Sequence, residues 1–315
     1  MANDFCGPVD DSVLRHQAKH ISTSIWHGIQ RDKMQIRQNT SQLNQWVLTD
    51  YQVHLLQQWG FWMFANPRTV MQNDVCLITA LVERWRPKTN TFHFTFGEMT
   101  VTLEDVYMLL GLPVVGEAIR LDFDVAVSHA WLNVWRDLNL SVEQRKTAWD
   151  RGGAKLSFLR ERYHSNNVAH PRLIAFLLDT KKIYGYAWGT AVLGYLYRNL
   201  GEASDKNCKQ ITGCTTLLML WARERLRPGQ PKIADNTRHM WPRAFAWAIA
   251  PVPAGKSKYF NIHHHIDAYR AMFDIFDTRW VHWTPYTRFY RRYDEHFYRA
   301  RLAGIARVPL FFSRT

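Results

Sequence analysis

Residues 91–113 dictate their own local structure more narrowly than any other stretch of the chain. Thr91-Phe92-His93-Phe94-Thr95-Phe96 alternates phenylalanine with polar residues, and Gly97-Glu98 separates it from Met99-Thr100-Val101. Successive side chains of a strand point to opposite faces, so period-two alternation around a Gly-containing turn predicts a β-hairpin. Thr102 follows at once, with Asp105 three positions on. The hydroxyl of the first can accept a free backbone N–H of a new helix while the carboxylate of the second reaches back, which is a capping box. The helix so started runs from Leu103 to Leu110 and meets Gly111 and Pro113. Glycine tolerates a left-handed backbone and proline has no N–H to continue with, so the stop is written in as well.

Elsewhere helical spacing dominates. After Thr49, a candidate N-cap, Tyr51, Leu55, Trp59 and Trp62 recur at three-to-four intervals and predict an amphipathic helix that feeds the core. Asn73 or Asp74 caps a second helix, with Leu77, Leu81 and Trp85 on one face and Pro87 at its end. Leu173, Phe176, Leu177, Ile183 and Tyr184 outline another, and Val192, Leu193, Leu196 and Tyr197 the next. A helix from about Cys208 to Arg225, apolar at Leu217, Leu218, Leu220 and Trp221, reads as central and buried. Breaks fall at Gly152-Gly153, at His170-Pro171 and at the Pro228-Gly229-Gln230-Pro231 linker, and residues 228–260, rich in Pro, Gly and Ala, read as a loop. Residues 1–45 are polar and read as a partly disordered extension holding at most a short helix near Ile21, Ile25, Trp26 and Ile29. The prediction is a mainly α, multi-helix domain over residues 46–315 with a small β-hairpin near residues 91–101. No repeat of fixed period argues for a solenoid.

Composition bounds the partners. With 315 residues, 47% of them hydrophobic, the chain can bury a large core, and 14 tryptophans put aromatic rings either in that core or on a binding surface. Forty Lys and Arg against 27 Asp and Glu leave a formal charge of +13, a field that attracts nucleic acid or acidic proteins. Cys6, Cys76, Cys208 and Cys214 are irregularly placed, which argues against a disulfide framework or a zinc ribbon and for a reducing compartment. The first residues, MANDFCGPVDDSVLRH, carry acids where a signal peptide needs a basic start, and there is no run of about 18 apolar residues, so neither secretion nor membrane spanning is expected. A compact Lys/Arg cluster of the nuclear-import type is also missing.

Candidate chemistry is thin. Glu83, Glu98, Glu104 and Asp105 are acids of the kind that hold Mg²⁺ for phosphoryl transfer. Asp105 already has a capping role, Glu83 has Arg84 and Arg86 nearby, and the strand succession of a transposase nuclease core is absent, so a structural role outweighs a catalytic one. His263-His264-His265 with Asp267 offers metal-ligand types, with His263 and Asp267 one helical turn apart, but no second cluster completes a site, and a polar start to a helix carrying Tyr269, Met272, Phe273 and Phe276 is the stronger reading. Cys208 and Cys214, six apart, would fall on opposite faces of one helix and read as core residues. Gly-rich phosphate loops, nucleophile elbows and HExxH are absent. The expectation is a protein that is not an enzyme and needs no cofactor or metal. One surface remains to nominate. From Arg279 to Arg301 aromatic and basic residues interleave, and in a helix Tyr286, Tyr290, Tyr293 and Phe297 would pack inward while Arg288, Arg291, Arg292 and Arg299 face solvent. Arg279, Arg288, Arg291, Arg292 and Arg299 are therefore the candidate phosphate-contacting residues, acting without base readout.

Three blocks resemble the plant mobile domain family. The first runs from Leu77 to Pro87 (LITALVERWRP), through Thr91-Phe92-His93-Phe94 and Gly97-Glu98-Met99-Thr100-Val101-Thr102-Leu103-Glu104-Asp105-Val106, to Leu109-Leu110-Gly111-Leu112-Pro113-Val114. The second joins Tyr186-Ala187-Trp188-Gly189 to Leu196-Tyr197, Ala203-Ser204-Asp205-Lys206-Asn207, Gly213-Cys214 and Leu220-Trp221-Ala222-Arg223-Glu224-Arg225. The third pairs Trp283-Thr284-Pro285-Tyr286 with Val308-Pro309-Leu310. The resemblance marks Trp85, Arg86, Pro87, Gly97, Glu98, Thr102, Asp105, Gly111, Trp188, Asp205 and Trp221 as structural positions. It implies a nuclear protein tied to transposable elements, to their silencing, to genome integrity and to meristem maintenance. Nucleic acid, chromatin or a serine/threonine phosphatase 7-like protein are the partners it suggests. The family pattern continues beyond the Val308-Pro309-Leu310 segment, so on this resemblance a chain ending at Thr315 is C-terminally shortened. The pyridoxal-phosphate chemistry of an aminotransferase would need a strand–helix alternation that this sequence lacks.

Overall fold

The computed structural model describes residues 17–29, 31–36, 48–61, 63, 71–119, 141, 143, 149–150, 153–154, 182–226, 233, 235–249 and 265–289. In chain order its elements are α1 (Ile21–Trp26), β1 (Gln35–Ile36), α2 (Asp50–Gln58), α3 (Val75–Arg84), β2 (Trp85–Arg86), β3 (Thr91–Phe94), β4 (Gly97–Met99) and α4 (Leu103–Leu110). They continue as β5 (Trp149–Asp150), β6 (Gly153–Ala154), α5 (Trp188–Ala203), β7 (Gln210–Ile211), α6 (Thr215–Arg225), α7 (Arg243–Ile249) and α8 (Ile266–Asp274). The chain is mainly α with a small β region, as the periodicity predicts.

The capping signals start helices where the sequence places them. Thr49 and Gln52 form a capping box on α2, Asp74 accepts the Leu77 N–H on α3, and Thr102 and Asp105 form the box on α4. Gly111 ends α4 at φ 73°, and a Cβ there would lie 2.5 Å from Pro242 Cγ, so backbone and packing both require glycine. The hairpin pairs Phe92 with Met99 and Phe94 with Gly97, which leaves Thr95 and Phe96 as its two turn residues and puts Gly97, at φ 136°, at the head of β4. A third strand joins it. Trp85 and Arg86 leave α3 in extended conformation and pair with Phe92 and Thr91, so the helix stops two residues earlier than its proline suggests. The ring of Pro87 disfavours helical backbone at the residue before it, which helps turn the end of α3 into a strand.

Other expectations shift. α2 forms, but Tyr51 is exposed and only Trp59, at its C-cap, packs on the core, so this helix lies on the rim. α6 begins at Thr215 and not near Cys208. Cys208 precedes β7 and Cys214 is the N-cap, so the two thiols never share a helix. Within the segment read as loop stands α7, whose Ala244 and Ala246 are fully buried. Small residues that look like loop composition are here what lets a helix approach α4 closely. Ile183 and Tyr184 sit in a 3₁₀ turn, Ile183–Gly185, while Trp62 and the helix proposed on Leu173, Phe176 and Leu177 lie outside the described residues.

α3 and α6 are the buried helices, with Cys76 to Glu83 of one and Leu217 to Ala222 of the other shielded throughout. The sheet closes one side of them with rings. Trp85 lies between Phe92 (4.8 Å) and Tyr197 (5.1 Å), and Phe92 reaches Trp221 (5.1 Å). Phe94 continues the cluster to Phe273 and Phe276, behind α8. The indole nitrogens of Trp85 and Trp221 have no hydrogen-bond partner, so both rings serve as pure apolar mass.

Part of the segment read as an extension is built into this body, although residues 1–16 lie outside the described ones. Met34 is buried in the core, and β1 pairs in parallel with β7. His20 fixes the entry. Its Nε2 lies 2.7 Å from the Trp85 carbonyl, and its Nδ1 accepts the Ser22 N–H at 3.1 Å and faces Arg86 Nη1 at 3.0 Å. These partners define a neutral ring with its proton on Nε2. Burial first, then the Arg86 charge, push its pKa down to about 4. Between the ordinary value of 6.5 and about 4 the unfolded chain binds a proton that the folded one refuses, so stability rises with pH across that window. We expect His20 to make the fold about 3 kcal/mol less stable at pH 4 than at pH 7. Urea unfolding at both pH values checks this, because His20→Gln should flatten that part of the profile; an unchanged profile would count against it.

Candidate functional site

The capping carboxylate of α4 does more than cap. Asp105 is fully buried, and its Oδ2 accepts from the Thr102 N–H (2.9 Å) and hydroxyl (2.8 Å). Its Oδ1 accepts from Arg225 Nε and Nη2, both at 2.8 Å, and from the Tyr286 hydroxyl at 2.8 Å. One side chain thus joins α4, α6 and the segment after α8. Arg225 also donates to the Trp283 carbonyl at 2.8 Å. Burial works against the Arg225 charge, but Asp105 and Tyr286 outweigh it and hold its pKa above the ordinary value. Burial, then the neighbouring carboxylate, push the Tyr286 hydroxyl well above its usual range, so it remains a donor.

Three further acids are spent in the same way. Glu83, buried on α3, takes a two-pronged contact from Arg270 of α8, Nε to Oε2 at 2.9 Å and Nη2 to Oε1 at 2.7 Å. Its partner is therefore not Arg84 or Arg86: Arg84 pairs with Asp274 and Arg86 turns to Gln17, His20 and Ser22. Glu224 Oε1 accepts from Arg243 Nε (2.7 Å) and Trp247 Nε1 (2.8 Å), tying α6 to α7. Asp74 caps α3 and accepts the Tyr269 hydroxyl of α8 at 2.6 Å. Glu98 is exposed on the hairpin, held by Thr91 at 2.7 Å and facing His93 at 3.4 Å.

This distribution separates the nominated residues. Glu83, Glu98 and Asp105 are each engaged with different partners, and among the described residues no group of three or more His, Cys, Asp or Glu could hold a metal ion. His265 is the exposed N-cap residue of α8 and Asp267 pairs with Arg270, while His263 and His264 are outside the described residues. Of the basic set, Arg279 is exposed and paired with Asp277 at 3.0 Å, and Arg288 is exposed and lies over the Phe289 ring at 5.1 Å. Arg291, Arg292 and Arg299, with Tyr290, Tyr293 and Phe297, lie outside the described residues. The described start of that segment is a 3₁₀ turn, Thr287–Phe289, with Tyr286 and Phe289 inward.

Of the residues that the family resemblance marks, Trp85 and Trp221 are buried rings, Thr102, Asp105 and Gly111 bound α4, and Pro87 lies against Gly201. Trp188 opens α5 and donates from Nε1 to the Ile183 carbonyl at 2.8 Å. Asp205 bridges to His20 and accepts the Asn207 N–H at 2.8 Å. Arg225, Arg243 and Arg270 were not singled out from the sequence as site residues. Their signal was present in part: Glu224 and Arg225 are consecutive charges at the end of an otherwise apolar helix, and such charges need buried partners.

A mainly α domain organised on buried acid–arginine pairs, with no metal cluster among its described residues, is the class that the geometry defines. A model of the plant mobile domain matches residues 60–179 and 153–312, and the chain belongs to this family. It is 32% identical to Protein MAIN-LIKE 2 of Arabidopsis thaliana, over 89% of this chain and 45% of that protein. It is 33% identical to Protein MAINTENANCE OF MERISTEMS of Arabidopsis thaliana, over 87% of this chain and 61% of that protein. It is 31% identical to the Serine/threonine-protein phosphatase 7 long form homolog of the same plant, over 89% of this chain but 23% of that protein. The chain thus spans only part of the length of the curated relatives it matches, and no solved structure matches it.

Removing one partner of a buried pair leaves the other charge uncompensated, so Asp105→Asn is expected to destabilise the fold by about 3–5 kcal/mol. Tyr286→Phe, which deletes one of five hydrogen bonds to the same carboxylate, should cost about 1–2 kcal/mol. Denaturant midpoints of the two variants test the order, and a Tyr286→Phe loss equal to that of Asp105→Asn would contradict it.

Proposed function

We propose that this chain is a non-catalytic nuclear module that binds nucleic acid or chromatin and serves the silencing of transposable elements, genome integrity and meristem maintenance. The observation that carries this is the division of charge. Buried acids are consumed inside the fold by Arg225, Arg243, Arg270 and Tyr269, while a chain of +13 carries exposed arginines such as Arg279 and Arg288. A carboxylate locked by an arginine is a poor metal ligand, and a surplus of surface cations favours a polyanion. The name of the relative MAINTENANCE OF MERISTEMS supports the developmental part of the reading.

A second reading has its own support. A stretch similar to almost the whole of this chain occurs within the phosphatase 7 long form homolog, as 23% of that phosphatase-named chain. A serine/threonine phosphatase 7-like protein is therefore the protein partner to test, with this chain as its adaptor.

Duplex DNA binding measured across salt concentrations decides between the two. Binding should weaken steeply with salt, and a triple alanine variant at Arg288, Arg291 and Arg292 should lower the slope by about 0.9 for each phosphate that the variant no longer neutralises. No binding at low salt would overturn the nucleic-acid reading and leave the adaptor, to be checked by pull-down with the phosphatase. Mg²⁺-dependent strand cleavage, lost in Glu104→Ala, would instead establish a nuclease.

A further inference from the structure

The loop that joins α5 to β7, residues 204–209, is fastened from two sides by the N-terminal segment. On one side the Ile21 N–H donates to the Ser204 carbonyl and the Lys206 N–H to the Lys19 carbonyl, both at 2.9 Å, and His20 bridges antiparallel to Asp205. On the other, Arg31 donates from Nη1 to the Ala203 carbonyl at 3.2 Å and from Nη2 to that of Cys208, while the Gln35 N–H reaches the Lys209 carbonyl at 2.9 Å. The antiparallel register sets Lys19 directly opposite Lys206. Residues so placed have Cβ atoms about 5 Å apart, where two like charges destabilise the pairing. Lys206 is held there, because its Nζ donates to the Ala18 carbonyl at 2.9 Å and so uses one of the three donors of an ammonium. The side chains of Lys19, Lys206 and Lys209 are all exposed.

The nearby acids do not cancel these charges. Residues 17–20, 31–35 and 205–210 hold five cations, Lys19, Arg31, Lys33, Lys206 and Lys209, against two acids, Asp32 and Asp205, a surplus of three. Asp205 Oδ1 accepts the Asn207 N–H at 2.8 Å, and Glu202, near the end of α5, pairs with Arg198 at 3.0 Å. The exposed side chains of these segments are polar or charged except for Ala18. A protein interface is built on an apolar centre and is poor in lysine, whereas a nucleic-acid backbone is met by charged and polar groups alone.

We propose that Lys19, Lys206 and Lys209 form a phosphate-contacting surface for the backbone of duplex DNA. A phosphate between Lys19 and Lys206 replaces their mutual repulsion with a shared attraction, and Lys209, three residues further along the same fastened loop, extends the charge. Because the loop is tied down before binding, little backbone order remains to be lost. The surface rests on the nucleic-acid reading above and gives it a contact that the sequence does not nominate, since Lys206 and the Ala18 it meets are 188 residues apart.

Duplex DNA binding by the full chain across salt concentrations tests it. Four proteins are compared: the unmodified one, the triple variant Lys19→Ala, Lys206→Ala and Lys209→Ala, the triple variant Lys19→Arg, Lys206→Arg and Lys209→Arg, and a control, Lys182→Ala with Arg238→Ala, which removes exposed charges before α5 and before α7. The alanine triple should bind about tenfold or more weakly at low salt, with the salt slope lowered by about 0.9 for each lysine removed. The arginine triple should keep both affinity and slope, and the control should lose less than about twofold. If thermal unfolding shows the alanine triple to be poorly folded, the three single alanine variants take its place, each lowering the slope by about 0.9. DNA binding by the unmodified protein with an alanine triple no weaker than the control overturns the surface and leaves the nucleic-acid reading standing, whereas no DNA binding at low salt overturns both. Poly-glutamate of equal charge, bound as tightly as DNA and weakened as much by the alanine triple, would make the partner an acidic protein and overturn the assignment to DNA.

Discussion

The carboxylate of Asp105 is where the architecture converges. It caps α4 through Thr102, holds Arg225 of α6 and receives Tyr286 from the segment after α8. A buried carboxylate is tolerated only when its lone pairs are satisfied, and here five donors from three parts of the chain do so. Because the donors lie 3, 120 and 181 residues away in sequence, the group can be satisfied only in the native arrangement. Such a node adds little net stability over an apolar substitute, but it penalises every alternative packing of the three elements. We read it as the device that sets their register.

α6 extends the same logic. Its sequence Trp221-Ala222-Arg223-Glu224-Arg225 sends consecutive charges to different neighbours, Arg225 to α4 and Glu224 to α7, while Arg223 approaches the Trp247 ring at 6.0 Å. Adjacent residues on a helix point about 100° apart, so one turn can address two partners without a clash of charge. Arg270 does the equivalent from α8 to α3 through Glu83. Among the described residues, the buried acids Asp105, Glu224 and Glu83 are thus each matched by an arginine, and Asp74 by the Tyr269 hydroxyl.

The sheet and its rings fill the space between these polar nodes. Three short strands bring Trp85, Phe92 and Phe94 onto α3, α6 and α8, and aromatic area compensates for strands of only two to four residues. The edge of this assembly receives the N-terminal segment through His20, which is what draws residues before the predicted domain into the body.

The sequence by itself determined what depends on neighbours a few positions away. The cap at Thr102, the stop at Gly111, the Phe92 and Phe94 face of the hairpin and the burial of Leu217 to Trp221 were all legible, because helix capping and side-chain periodicity act within one or two turns. It misplaced the end of α3, the start of α6 and the helix between Arg243 and Ile249, since each is set by contacts with distant strands and helices that outweigh local composition. Only the tertiary structure decided that Asp105 would meet Arg225 and Tyr286, that Glu83 would take Arg270 in place of its neighbours, and that Glu224 would take Arg243 and Trp247. Charge pairing across more than a hundred residues leaves no periodic trace; it exists only once hydrophobic burial has brought the helices together and removed the water that would otherwise solvate each group alone.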